Sequence, residues 1–145
     1  MSVGRICSRV VATASGSETI RTAARRMADH DVGTLVIVGN SHPTPATGIV
    51  TDRDLAIRCI AGRLDPDETA ISAVMTSPVH TVDEHTPMED AVAIMARAGT
   101  RRLVVTGEDN SVVGLLSMDD VLGVAVEEAG AIGQLLEQQK PRIPA

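Results

Sequence analysis

The chain carries the same segment twice. Setting Ile20-Arg-Thr-Ala-Ala-Arg-Arg-Met27 over Met88-Glu-Asp-Ala-Val-Ala-Ile-Met95 gives an offset of 68 residues. At that offset Thr13 meets Thr81, Leu35 meets Leu103, Val36 meets Val104 and Gly39 meets Gly107. Past the next loop the offset falls to 66, and Gly48 meets Gly114, Thr51 meets Ser117 and Asp54 meets Asp120. Two residues lost in one loop account for the change. A repeat of this length makes each half one supersecondary unit. A chain of 145 residues then has room for two small units that share a core.

Within each half the apolar residues keep a helical period. Ile20, Ala23, Ala24, Met27 and Ala28 recur at i, i+3, i+4, i+7 and i+8, and so do Met88, Ala91, Val92, Met95 and Ala96. Each set is one face of an amphipathic helix. Thr86-Pro-Met-Glu89 predicts an N-cap, a proline at the first helical position and a glutamate closing a capping box. Short apolar runs at 35–38 and 103–105 read as strands, followed by turn-rich loops and second strands at 48–50 and 112–116. Second helices are expected from about Thr51 to Ala61 and from about Ser117 to Glu128, and extra short strands around 10–13 and 79–82. The unit is β-α-β-β-α, twice, a mixed α/β (α+β) fold with pseudo-twofold symmetry. The expected boundaries are repeat one over 1–63, a linker over 64–71, repeat two over 72–128 and a tail over 129–145. In the tail, residues 131–139 would form a separate short helix stopped by Pro141.

Composition narrows the function. The chain is 43% hydrophobic but has no Phe, Trp or Tyr, so the core is built from Val, Ile, Leu, Ala and Met. A ring-stacking platform for single-stranded nucleic acid is excluded. A net charge of −6 argues against a basic nucleic-acid footprint over the whole chain. Cys7 and Cys59 have no C-x-x-C spacing and read as buried thiols of a reducing compartment. Arg5 and Arg9 interrupt any apolar leader, and no run is long enough to span a membrane. The expectation is a cytoplasmic protein. His30, His42, His80 and His85 lack metal-ligand spacing and read as surface or capping residues, so no metal site is expected. Arg25 and Arg26 fall on the outer face of the first helix.

Chemistry concentrates at one junction per repeat. Gly48-Ile-Val-Thr51-Asp-Arg-Asp54 and Gly114-Leu-Leu-Ser117-Met-Asp-Asp120 share the pattern Gly-h-h-[Thr/Ser]-x-x-Asp, where h is apolar. A helix N-terminus offers free N–H groups and a positive dipole end to an anion. The hydroxyl adds a hydrogen bond to phosphate, and an ionised aspartate accepts from both hydroxyls of a ribose. The same letters also spell an ordinary capping box. The matched recurrence of Gly, hydroxyl and Asp in both halves favours the ligand reading.

This ordered set resembles the CBS (cystathionine-β-synthase) domain, over about residues 5–128. Val74-Met-Thr-Ser-Pro-Val-His-Thr-Val82 is similar to that family's opening segment, and Arg101-Arg-Leu-Val-Val105 to its helix-to-strand junction. The resemblance implies a paired module whose central cleft holds adenosine ligands such as AMP, ADP, ATP or S-adenosylmethionine. Thr51 with Asp54, and Ser117 with Asp120, would take phosphate and ribose. Thr76, Pro78 and Val79 would lie near the base, while Arg53, Arg101 and Arg102 would serve phosphate. Gly33 and Thr34 stand where the second repeat has Arg101 and Arg102, and Arg53 is set against Met118, so the resemblance implies two unequal sites.

The expected function is a regulatory, ligand-sensing module acting on an effector protein, with no catalytic residues and no required cofactor. A purely structural or protein-interaction module is the alternative. A Mg²⁺-dependent nucleotide hydrolase using Asp52/Asp54 or Asp119/Asp120 lacks a visible base. Apolar residues on more than one face of residues 56–61 and 121–126 predict a homodimer packed through these helices.

Overall fold

The two halves fold alike because their apolar periods are alike. The computed structural model describes residues 1–40 and 44–139. A single helical turn, α1 (Val3–Ile6), precedes β1 (Thr13–Ser15), α2 (Ile20–His30), β2 (Thr34–Val38) and β3 (Ala46–Thr51). Asp52–Asp54 then begins a helix whose turns widen to π geometry over Leu55–Ala61, the two together forming α3. A 3₁₀ turn at Ile71–Ala73 opens the second half. It continues as β4 (Thr81–Asp83), α4 (Met88–Ala98), β5 (Arg102–Thr106), β6 (Val112–Ser117) and α5 (Met118–Gln138).

Each half is a three-stranded sheet, ordered β1-β2-β3 and β4-β5-β6. The first pair in each is parallel, as its helical crossover requires, and the second is antiparallel. Registers match across the halves: Thr34 opposes Thr51, and Arg102 opposes Ser117. One face of the first sheet is covered by α2, through Ile20, Ala23 and Met27, and by α3, through Leu55 and Cys59. Ala91 and Met95 of α4 and Val121 of α5 do the same in the second. Cys7 and Cys59 are both free and buried.

The cores do not follow the chain order. Ile71 and Val74, fully or almost fully buried, belong to the core of the first sheet, and Val3 and Cys7 belong to that of the second. Each half thus lends its opening segment to the other. Backbone pairs fix the exchange: Ser8 with Leu115 at 3.0 Å in both directions, and Thr76 with Ile49 at 2.8 and 3.0 Å. Gly48 and Gly114 permit it. A Cβ on Gly48 would stand 2.6 Å from Met75 Sδ and 3.1 Å from the Thr76 carbonyl. On Gly114 it would stand 2.6 Å from Cys7 Sγ and 3.1 Å from the Ser8 carbonyl. The motif glycine is therefore demanded by the crossing backbone, before any question of a ligand.

Several local expectations are corrected. The short strands start at Thr13 and Thr81, because residues 9–12 and 77–80 serve as connectors between the sheets. No side chain caps α4: its N-cap is Pro87, and the Met1 carbonyl takes the Met88 N–H at 3.0 Å. The equivalent N–H of α2, on Ile20, goes to the Thr69 carbonyl at 3.0 Å, and Arg21 pairs with Asp67. Arg26, expected on the outer face of the helix, is engaged by the protein. It donates to the Thr13 carbonyl at 2.8 Å and pairs with Glu18 at 2.7 Å. The expected separate helix over 131–139 is one helix with α5, which runs through Gly130 and Gly133. A glycine costs a helix only about 1 kcal/mol, and no proline interrupts.

Both crossover helices end on a left-handed residue, Asp31 (φ 51°) and Gly99 (φ 64°). A Cβ on Gly99 would meet nothing within 4 Å, so backbone strain is the whole cost there. Gly99→Ala is expected to lower stability by about 1–2 kcal/mol, and Asp31→Gly to raise it by a smaller amount. The check is urea unfolding, in which the midpoints move in opposite directions with the slope unchanged.

Candidate functional site

The two strand-to-helix junctions are built alike. In the first, Asp54 N–H donates to Thr51 Oγ1 at 3.2 Å and Thr51 N–H donates to Asp54 Oδ2 at 2.9 Å. In the second, Asp120 N–H donates to Ser117 Oγ at 3.2 Å, while Ser117 N–H and hydroxyl both donate to Asp120 Oδ2 at 2.7 Å. Both are reciprocal capping boxes. One oxygen of each carboxylate is therefore turned back onto its own strand, and chemistry with anything else is left to Oδ1. Because β3 ends on Thr51 and β6 on Ser117, Arg53 is matched by Asp119. Asp52, not Arg53, is the counterpart of Met118.

The surroundings differ. Arg101, Arg102, Ser117, Met118 and Asp119 line a cavity of about 260 Å³ at the head of α5. Arg102 is brought there by its register opposite Ser117, and Arg101 by its carbonyl accepting from Met118 N–H at 2.9 Å. Two guanidinium groups thus join the positive end of a 21-residue helix. Arg101 stands 3.7 Å from Asp119 Oδ1, an exposed pair that costs little to break. Asp119 and Asp120 also line a neighbouring cavity of about 510 Å³. At the first junction Gly33 and Thr34 bring no cation, and the Asp52 carboxylate lies against Gly33, 3.0 Å from where its Cβ would be.

The sequence-derived residues fall into two groups rather than one. Thr51, Asp54 and Thr76 surround the first junction, with Thr76 held beside Ile49 of β3. Arg101, Arg102, Ser117 and Asp120 surround the second. Exposed Pro78 and half-buried Val79 lie on the connector leaving the first group, and Arg53 is exposed on the opening turn of α3. Two features were missed. Arg58 reaches Asp54 and Thr76, and its i,i+4 spacing from Asp54 was the available signal. A cavity of about 450 Å³ is lined by Val10, Val11, Ala12 and Val32, among others. The 68-residue offset places Val10 and Val11 on Pro78 and Val79. Val10 is 88% exposed, which is where an apolar wall for a ligand would have to be.

Cys7, packed beside Gly114, is unsuited to nucleophilic work, since burial pushes its thiol up from the ordinary value. Among the described residues no three His, Cys, Asp or Glu side chains converge on a point that would hold a metal; His42 lies outside the described residues. No helix among them is long and apolar enough to cross a membrane.

Two β-α-β-β-α units that exchange opening segments and present matched junctions define a paired-repeat module. The CBS domain family model matches residues 3–59 and 71–127, and the chain belongs to that family as a tandem pair. An uncharacterized protein of Methanopyrus kandleri is 37% identical over 86% of this chain, which spans 62% of that relative's length. The CBS domain-containing protein YhcV of Bacillus subtilis is 34% identical, over 77% of this chain and 76% of its own. Among solved structures, a CBS domain protein from Pyrobaculum aerophilum, complexed with AMP, superposes with a TM-score of 0.74. It is 29% identical, and the match covers 83% of this chain and 89% of that one.

The capping boxes have a stability consequence independent of any ligand. Thr51→Ala and Ser117→Ala are each expected to cost about 1 kcal/mol, with the larger loss at Ser117, whose hydroxyl both donates and accepts. Paired urea titrations of the two variants check the order.

Proposed function

We propose that the chain is a regulatory module that reversibly binds an adenine nucleotide, AMP, ADP or ATP, or a related adenosyl compound such as S-adenosylmethionine, and passes its occupancy to an effector protein. The observation that carries this reading is the second junction. There Arg101 and Arg102 stand beside the Ser117 hydroxyl at the head of a long helix, around an open cavity. Phosphate suits the two guanidinium groups and the helix terminus. Ribose hydroxyls suit Asp120 Oδ1, since Oδ2 is already bonded to Ser117. With no Phe, Trp or Tyr in the chain, the base needs a largely aliphatic wall. Val10, Val11 and Ala12, on the connector that starts at Ser8, itself paired two residues before Ser117, are the residues proposed for it, with Val32; they line a cavity of their own with His30. At the first junction, Thr51, Arg53, Asp54, Thr76, Pro78 and Val79 stand at or near the corresponding positions without the paired arginines. Binding proceeds without turnover, since no side chain at either junction is arranged as a nucleophile with its base.

The alternative, a purely structural or protein-interaction module, is favoured by one observation: both aspartates are engaged in capping boxes. The two readings separate cleanly. Asp120→Ala removes a charge-assisted hydrogen bond worth roughly 1.5–3 kcal/mol, so AMP should bind it about tenfold or more weakly, with a smaller effect from Asp54→Ala. Affinity for AMP should also fall as salt rises, because the arginines supply it. Calorimetric titration checks both. Unchanged affinity in both variants, alongside lowered melting temperatures, would assign the two aspartates to capping alone, and absence of AMP, ATP and S-adenosylmethionine binding by the wild type would establish the structural reading.

The module is further proposed to be a cytoplasmic homodimer. Ile57, Ile60 and Leu64 near α3, and Leu122, Val126, Ile132, Leu135 and Leu136 on α5, are large apolar side chains left exposed. On α5, Leu122, Ala125, Ala129, Ile132 and Leu136 repeat at alternating spacings of three and four, the seam of a helix that packs on another. Light scattering at micromolar concentration should give twice the chain mass of 15.2 kDa. Leu122→Glu with Val126→Glu should return it to the single-chain mass.

A further inference from the structure

The first junction is already occupied by its own chain. Arg58, one turn beyond Asp54, donates to the Val74 carbonyl at 2.8 Å and to Thr76 Oγ1 at 3.2 Å, and its guanidinium stands 3.5 Å from Asp54 Oδ1. Asp54 Oδ2 is held by the Thr51 N–H at 2.9 Å. Both oxygens of that carboxylate therefore face donors from the protein. Each contact alone is weak on a half-exposed side chain. Three acceptors sharing one planar guanidinium nevertheless fix where it sits.

The repeat offsets give the equivalent positions in the other half. Asp120 answers to Asp54, Val124 to Arg58, and Ile6 to Val74. Valine has no donor, and among the described residues Asp120 makes its hydrogen bonds through Oδ2 alone. Asp120, Val124 and Ile6 all line the open cavity of about 510 Å³. The position of Arg58 and two of the three that it ties together, those of Asp54 and Val74, thus border open space in the second half. The first junction also lacks the cations that Arg101 and Arg102 bring to the second, having Gly33 and Thr34 in their place.

We infer that Arg58 is a built-in plug that takes the place of ribose hydroxyls at Asp54, so that the chain binds one adenine nucleotide, at Asp120, and not two. The inference rests on the nucleotide reading above and adds to it the stoichiometry and the residue that sets it. The exchange of a single position, arginine for valine, then decides whether a junction is open.

The test is reciprocal: AMP is titrated calorimetrically into the wild-type chain, Arg58→Val and Val124→Arg, with melting curves to confirm that each is folded. Wild type should take one AMP per chain. Arg58→Val should take two, the added one disappearing when Asp54→Ala is combined with it. Val124→Arg should lose binding by at least tenfold, and it decides the matter alone if Arg58→Val does not fold. Two AMP per wild-type chain, or weaker binding by Arg58→Val, overturns the inference. So does one AMP per chain bound equally by all three proteins, which leaves the nucleotide reading intact. No AMP bound by any of the three overturns the inference; ADP, ATP and S-adenosylmethionine titrated into the wild type then decide that reading, which falls if none of them binds.

Discussion

The docking of each opening segment onto the opposite half is the constraint on which the rest of the structure depends. Ser8 pairs with Leu115 and Thr76 with Ile49, and the side chains just before these bridges complete the neighbour's core. A sheet of three short strands under two helices, without Phe, Trp or Tyr, buries little apolar area by itself. Lending Val3 and Cys7 one way, and Ile71 and Val74 the other, makes both cores complete only when both halves are present. The same docking explains the motif glycines, since any side chain at Gly48 or Gly114 would collide with the segment that crosses there.

That exchange also sets what surrounds the two junctions. The connectors after Ser8 and Thr76 must pass beside the ends of β6 and β3, where the capping boxes lie. Each junction is thereby approached by the opening segment of the other half. Symmetry of the backbone is enforced by packing at every step: matched registers, matched bulges at the end of β2 and β5, matched left-handed helix ends. Side chains at the mouths of the junctions are under no such constraint. There the halves differ in charge, with Arg101 and Arg102 against Gly33 and Thr34, Asp119 against Arg53, and Val124 against Arg58. A duplicated scaffold with unequal mouths keeps one fold while its two junctions differ in charge.

The long α5 adds a feature that the first half lacks. Its counterpart α3 ends at Ala61 and turns into the linker, whereas α5 continues to Gln138 with apolar side chains exposed along it. Burial of such a stripe against a second copy would place the junction at its N-terminus in mechanical continuity with the dimer contact. Occupancy at Ser117 and Asp120 would then act on the element that carries the assembly.

The sequence by itself determined the repeat, its β-α-β-β-α order, the core faces of α2 and α4, and the junction motif. These depend on local period and on short-range hydrogen bonding, which a linear pattern records. It placed Thr51 with Asp54, and Ser117 with Asp120, because a capping box closes within four residues. Only the tertiary structure decided which half each opening segment completes, that Arg101 and Arg102 stand beside the Ser117 junction, and that Arg58 sits on Asp54 and Thr76. Those facts depend on contacts between residues as far apart as Ser8 and Leu115. They follow from strand register and from the crossing of the connectors, and no periodicity along the chain encodes which partner lies across the sheet.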